Sequence, residues 1–115
     1  MLQDFADRNR FGILDLSAAG LTALPSELGN LTKLRTLWLQ NNSLSGSIPP
    51  ELGNMTNLYR LYLHNNSLTG PIPSELSNLQ YLRILYLSYN SLTGPTPQWI
   101  LDRSWYSLNL TNAFA

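Results

Sequence analysis

The residues best suited to binding in this sequence are large aromatic side chains that recur every 24 residues. Trp38, Tyr62 and Tyr86 each stand between two leucines, in the segments LWL, LYL and LYL. Alternate side chains of a strand point to opposite faces, so these rings are expected on the face opposite the leucines. Exposed aromatic side chains beside an arginine are typical of surfaces that bind proteins. We therefore predict a binding surface centred on these three residues, called the aromatic stripe below.

The positions before and after each L-x-L segment add further side chains to this surface. The predicted binding residues are Trp38, Tyr62, Tyr86, Arg60, His64, Tyr89, Thr36 and Gln40. A structural interpretation is the alternative, because aromatic residues favour strands and pair across neighbouring strands. Three aromatic residues in register exceed what such pairing requires, which favours binding.

Catalysis and metal binding find little support in the same sequence. The single histidine, His64, has no cysteine and no acidic residue in the positions expected beside it, and no nucleophile, zinc-protease or phosphate-loop motif occurs. Glutamates recur at Glu27, Glu51 and Glu75, but no second column of carboxylates stands beside them to complete an acid–base pair or a ligand set. We therefore predict no catalytic residue, no enzyme activity, no cofactor and no metal site.

An internal repeat must position these side chains. Residues 37–54, LWLQNNSLSGSIPPELGN, return at residues 61–78 as LYLHNNSLTGPIPSELSN, and a third copy opens at Leu85. Repetition at such a period is typical of a solenoid, in which each repeat covers its neighbour. The first leucine of each L-x-L pair recurs at intervals of 23, 24, 24 and 23 residues, at Leu14, Leu37, Leu61, Leu85 and Leu108.

Two further columns follow each predicted strand. Asn42, Asn66 and Asn90 come five residues after the first leucine, and we predict a structural ladder in which each amide bonds the backbone of its own turn and the next. Each asparagine is followed by L-[ST]-G-x-[IT]-P, whose proline lacks a backbone donor, so no regular ladder is expected on this side. The segments PSELGN, PPELGN and PSELSN are expected to form short helical turns with a glutamate near the start.

The pattern L-x-x-L-x-x-L-x-L-x-x-N-x-L-x-G-x-I-P-x-x-L-G-N resembles the leucine-rich repeat family, specifically its plant-type class. The resemblance covers residues 13–112, although the first copy, LDLSAAGLTALPSELGN, lacks the glycine and the isoleucine. It implies an α/β solenoid: a right-handed arc with about five short parallel strands on the concave face and short helical or 3-10 turns on the convex face. It also implies recognition of a protein or peptide.

Three parts are expected along the chain: an N-terminal capping segment at residues 1–12, the repeats at residues 13–98, and a degenerate last repeat with a C-terminal cap at residues 99–115. A terminal repeat needs such a cap because its apolar face otherwise meets water. Trp99 and Trp105 are large enough to cover the end of the core.

The amino-acid composition limits the kinds of partner that we expect. Seven basic and seven acidic residues cancel and the basic residues are scattered, so we predict no nucleic acid and no membrane partner. No cysteine and no apolar leader are present, which favours a cytoplasmic location unless an export signal has been removed.

Two other functions stay open beside protein or peptide binding. We expect a monomer, but the chain could be a structural or self-associating segment of a longer repeat protein that forms an edge-to-edge dimer. A third hypothesis uses the column of Ser45, Thr69 and Thr93 as a flat surface for a repetitive ligand such as a polysaccharide or ice.

Overall fold

The repeats form two parallel sheets joined by one-turn helices. A computed structural model describes residues 12–115, so the predicted capping segment at residues 1–12 lies outside the described residues apart from Gly12. The first sheet contains β1 (Ile13–Asp15), β2 (Thr36–Trp38), β4 (Arg60–Tyr62), β6 (Ile84–Tyr86) and β8 (Ser107–Asn109). The second contains β3 (Ser45–Ser47), β5 (Ser67–Gly70) and β7 (Ser91–Leu92). The 3-10 helices are Ser26–Asn30, Pro50–Asn54 and Ser74–Asn78, and the short α-helix α1 is Gln98–Asp102.

The leucine register sets the first sheet. Neighbouring strands pair Leu14 with Leu37, Leu37 with Leu61, Leu61 with Leu85, and Leu85 with Leu108. The three central leucines are fully buried in one continuous core, and their strand neighbours point to the opposite, concave face. The predicted solenoid of five short parallel strands with 3-10 turns is confirmed.

Partly buried amides join successive repeats where the strands of the first sheet end. The Asn66 Nδ2 donates to the carbonyl oxygens of Leu39 and Leu63, both at 3.1 Å, one in the preceding repeat and one in its own. The Asn66 Oδ1 accepts from the backbone N–H of Leu44 at 3.1 Å. Such bonds satisfy backbone groups that no strand pairs with. The other two amides of the column bond two successive repeats in the same way, Asn42 and Asn90.

The expectation of no regular ladder on the proline side is wrong. In the second sheet Ser45 pairs with Ser67, and Thr69 pairs with both Ser47 and Ser91. Each strand ends before the first proline of its repeat, so the missing N–H groups fall outside the ladder. Partners are 22 residues apart, two fewer than the repeat, so the predicted column of Ser45, Thr69 and Thr93 is not one row of this sheet.

Close packing of the 3-10 helices explains why two of them contain glycine. A Cβ added at Gly53 would overlap the carbonyl oxygen of Glu75 in the next 3-10 helix, and one at Gly29 would overlap that of Glu51. Only glycine allows this approach of two backbones. The third 3-10 helix carries Ser77 at the equivalent position, and α1 follows it instead of a fourth 3-10 helix.

An arginine near the C-terminal end of the chain lies against two neighbouring tryptophan rings. The Arg103 guanidinium carbon is 4.9 Å from the ring centroid of Trp99 and 5.6 Å from that of Trp105. Its nitrogens donate to the carbonyl oxygens of Ser77, within the third 3-10 helix, and of Leu79, just after it. Both tryptophans pack against the core. Burial, with a smaller contribution from Arg83, lowers the pKa of Arg103 below its ordinary value.

Within residues 12–115 there is no helix with the length and apolar character needed to cross a bilayer.

Candidate binding site

The aromatic stripe forms a continuous surface on the concave face. Trp38, Tyr62 and Tyr86 pair directly as the last residues of β2, β4 and β6. Ring centroids lie 6.0 Å apart between Trp38 and Tyr62 and 5.1 Å apart between Tyr62 and Tyr86, with interplanar angles of 87° and 82°. These are edge-to-face contacts, which aromatic rings prefer. Trp38 is 37% exposed and the two tyrosines are partly exposed, so a partner can reach all three.

Neighbouring side chains hold the stripe in place. The His64 ring lies 6.1 Å from the Tyr62 ring and 5.5 Å from the Tyr86 ring. The Tyr86 hydroxyl is hydrogen-bonded to the Ser107 hydroxyl at 2.9 Å. Rings that are already ordered lose little conformational entropy when a partner binds, so this arrangement favours affinity.

Two polar atoms beside the stripe lack hydrogen-bond partners within the described chain. They are the Gln40 Oε1 and the His64 Nδ1, both buried. Gln40 and His64 lie in adjacent repeats. The backbone N–H of Asn41, the residue after Gln40, donates to the carbonyl oxygen of His64. A buried polar atom without a partner is costly, so these two atoms reduce the stability of this part of the fold.

Thr36 is less exposed than the sequence predicts. It lies at the expected strand position but is only 3% exposed, so the prediction that it contacts a partner is wrong. Arg60, which is exposed, directs its Nη1 toward the Thr36 Oγ1 at 3.5 Å, and the guanidinium therefore covers Thr36. Thr36 supports Arg60 in this position and leaves the arginine as the accessible group.

Tyr89 occupies a backbone position that suits asparagine better. Its φ is 56°, in the left-handed region, where Asn41, Asn65 and Asn112 occupy the equivalent positions. A bulky residue is disfavoured in this region, while asparagine tolerates it. The Tyr89 side chain is 54% exposed, so the core does not require its ring. An exposed ring in a strained position supports a role in binding.

Burial shifts two titratable groups of the site. Burial raises the pKa of Tyr62 above its ordinary value of 10.0, with Arg60 lowering it and Tyr86 raising it by smaller amounts. The Tyr62 hydroxyl is therefore protonated at neutral pH and can donate a hydrogen bond. Burial also lowers the pKa of His64 below its ordinary value of 6.5, so its imidazole is neutral at pH 7.

The His64 shift predicts how stability depends on pH. The unfolded chain takes up a proton on His64 near the ordinary pKa of 6.5, and the folded chain does so only at lower pH. The folded state therefore loses stability as the pH falls from 6.5 toward the lowered pKa. We expect a smaller loss in the His64→Gln variant, measured as the urea midpoint at neutral pH and at about pH 5. An equal loss of stability in the two proteins would contradict the prediction.

Within residues 12–115, no group of three or more His, Cys, Asp or Glu side chains is arranged to hold a metal ion. The three glutamates of the predicted column lie in the first turns of successive 3-10 helices, away from the concave face. Their carboxylates are favoured near these N-termini. This placement gives the column a structural explanation.

The repeat, the two sheets and the amide ladder define the class of protein. The chain belongs to the leucine-rich repeat family: residues 32–78 match a model of two leucine-rich repeats and residues 81–102 match a model of a single one. The predicted resemblance to the plant-type class is confirmed by plant relatives.

Three of these relatives illustrate the likeness. Receptor-like protein 1 of Arabidopsis thaliana is 63% identical over 35 residues, which cover 30% of this chain and 3% of that protein. The leucine-rich-repeat ectodomain of the Arabidopsis receptor kinase HAESA, solved with an IDA peptide hormone ligand, is 42% identical with a TM-score of 0.75, covering 80% of this chain and 16% of that one. A plant ice-binding protein is 34% identical with a TM-score of 0.74, covering 80% of this chain and 31% of that one. This chain thus spans a small part of each relative.

Proposed function

We propose that this chain is a non-enzymatic binding module that holds a protein or peptide on its concave face through the aromatic stripe. The observation that carries the proposal is the edge-to-face contact of Trp38, Tyr62 and Tyr86 across three neighbouring strands. Ordered, exposed aromatic side chains are the commonest anchors of protein interfaces. The HAESA ectodomain, solved with a peptide ligand, supports a peptide as the class of partner.

Side chains, and not strand backbones, must make the contacts at this site. β2, β4 and β6 are interior strands, each hydrogen-bonded on both sides. A peptide therefore cannot add itself as a further strand beside the stripe, because that mode needs a free sheet edge. Affinity must come from rings packing on the partner and from exposed polar groups such as Arg60.

The dimensions of the stripe set the length of partner that it contacts. Consecutive ring centroids are 6.0 Å and 5.1 Å apart, so the stripe crosses three strands. An extended peptide advances about 3.3 Å per residue, so about four residues span the three rings. Arg60 and His64 flank the middle ring, which favours a polar residue between apolar ones at the centre of such a segment.

Selection from a displayed random-peptide library tests the proposal, because such a library offers the concave face a very large number of short sequences at once. The wild-type protein and the Trp38→Ala, Tyr62→Ala variant serve as matched baits. We expect the wild type to enrich peptides with a shared segment of about four residues that the variant does not retain. Equal enrichment by both baits would contradict the proposal. A wild-type bait that enriches no peptide and forms a dimer in solution would instead support the self-associating alternative.

A second candidate function uses the second sheet, where Ser45, Ser47, Ser67, Thr69 and Ser91 are all exposed. Their hydroxyls stand on three paired strands about 4.8 Å apart, a regular array suited to a repetitive ligand. The plant ice-binding protein supports ice as that ligand.

This candidate predicts that the protein slows ice recrystallisation and that Thr69→Tyr, which disrupts the array, removes the effect. The aromatic stripe stays intact in this variant and serves as the control. Ice growth unaffected by the wild-type protein would eliminate this candidate.

A further inference from the structure

A pocket that the aromatic stripe does not use opens beside the N-terminal ends of β2 and β4. It has a volume of about 560 Å³, within the range of small-molecule sites. Its lining combines two guanidiniums, two phenol rings and one amide: Arg35, Arg60, Tyr59, Tyr81 and Asn57. Except for Arg60, none of these residues belongs to the surface predicted from the sequence.

The backbone fixes the relative positions of the lining residues. The N–H groups of Tyr59 and Arg60 both donate to the carbonyl oxygen of Arg35, at 2.7 and 3.0 Å. The Arg60 guanidinium lies over the Tyr59 ring, 5.0 Å from its centroid. The Asn57 Nδ2 donates to the carbonyl oxygen of Thr32 at 2.8 Å, which orients this amide. The pocket is therefore held by main-chain contacts of neighbouring repeats.

Basic side chains line the pocket, and acidic side chains do not. Three glutamates of the described chain lie in the 3-10 helices, Asp15 accepts hydrogen bonds from Ser17, and Asp102 accepts one from Gln98. Two guanidiniums that share a pocket without a carboxylate in its lining create a positive potential there. A positive potential attracts an anion to the pocket.

We propose that this pocket binds an oxyanion carried on an apolar stem, such as a carboxylate, sulfate ester or phosphate ester. Guanidinium groups suit this chemistry because their planar donors match two oxygens of a carboxylate or phosphate. The Tyr59 and Tyr81 rings offer apolar walls for the stem, and Tyr81 is 60% exposed at the pocket. The site shares only Arg60 with the surface predicted from the sequence, and its other four lining residues lie outside that surface.

Titration of isotope-labelled protein with small anions tests the proposal. The probes are inorganic phosphate, phenyl phosphate and phenylacetate, followed through the side-chain Nε–Hε signals of Arg35 and Arg60. We expect saturable shifts at both arginines, with phenyl phosphate binding more tightly than inorganic phosphate because its ring packs on the tyrosines. The Arg35→Gln, Arg60→Gln variant should weaken binding of phenyl phosphate at least about tenfold. Lys33→Gln, which removes a positive charge outside the lining, should leave it within about twofold.

The comparison of probes separates the sources of the anion. Equal affinity for inorganic and phenyl phosphate would support a free anion and overturn the apolar stem. No saturable shift with any probe, or equal weakening by Lys33→Gln, would overturn the pocket as an anion site. The probes contain no peptide, so such a failure would leave the proposal for the aromatic stripe standing.

Discussion

Removing two rings of the aromatic stripe is expected to weaken binding of a selected peptide at least about 100-fold, because aromatic anchors at the centre of an interface commonly carry about 2 kcal/mol or more each. Trp38 and Tyr62 are the variant positions, since their rings contact each other at 6.0 Å and Trp38 is the more exposed. The dissociation constants of the wild type and the Trp38→Ala, Tyr62→Ala variant, measured by calorimetry, give the result.

The fold should survive this double substitution. Both side chains lie on the face opposite the leucine core, so their removal opens no internal cavity. Tyr106→Ala is the matched control, because Tyr106 is 79% exposed and lies outside the stripe. We expect this control to bind normally. A double variant that keeps its circular dichroism spectrum and also keeps its affinity would contradict the proposed site.

Replacing Leu61 by alanine is expected to lower the free energy of unfolding by about 2–5 kcal/mol. Leu61 is fully buried and stands between Leu37 and Leu85 in the central strand of the first sheet. A solenoid core is shared between neighbours, so the cavity weakens the contacts of three repeats at once. Urea unfolding of the wild type and the variant measures the difference.

Leu101 supplies a control with the same chemical change. It is 62% exposed on α1, so Leu101→Ala should alter the free energy of unfolding by less than about 0.5 kcal/mol. Similar losses from Leu61→Ala and Leu101→Ala would show that the leucine register does not define the core.

The sequence predicts the first sheet well because one constraint dominates there. Leucines that recur at 23 or 24 residues can share an interior in only one register, and a slip of one residue would expose them all. The same register places Trp38, Tyr62 and Tyr86 in adjacent strands. Alternation along a strand and the repeat period were sufficient for both predictions.

Features that depend on packing between repeats were not predictable in the same way. The second sheet was missed because prolines were expected to block it, whereas each strand ends before them. Strand alternation places Thr36 on the concave face, so it was expected to be exposed. Alternation does not predict that the long Arg60 side chain covers it. Arg103 was also missed, since its partners are backbone carbonyls that lie 24 and 26 residues away.

Part of the lining of the proposed anion pocket could have been noticed in the sequence. Arg35, Tyr59 and Arg83 occupy equivalent positions two residues before the L-x-L pairs, so a column that alternates arginine and tyrosine could have been noticed. Asn57 and Tyr81 belong to a second column and Arg60 to a third, and only the fold brings the three columns to one pocket.

Cross-saturation transfer from a bound, library-selected peptide tests the central claim most directly, because it reports which side chains of the protein lie against the partner. The account predicts strong transfer to the ring signals of Trp38, Tyr62 and Tyr86 and none to Glu27, Glu51 and Glu75 of the 3-10 helices. Transfer confined to the 3-10 helices or to the second sheet, with the three rings unaffected, would contradict it.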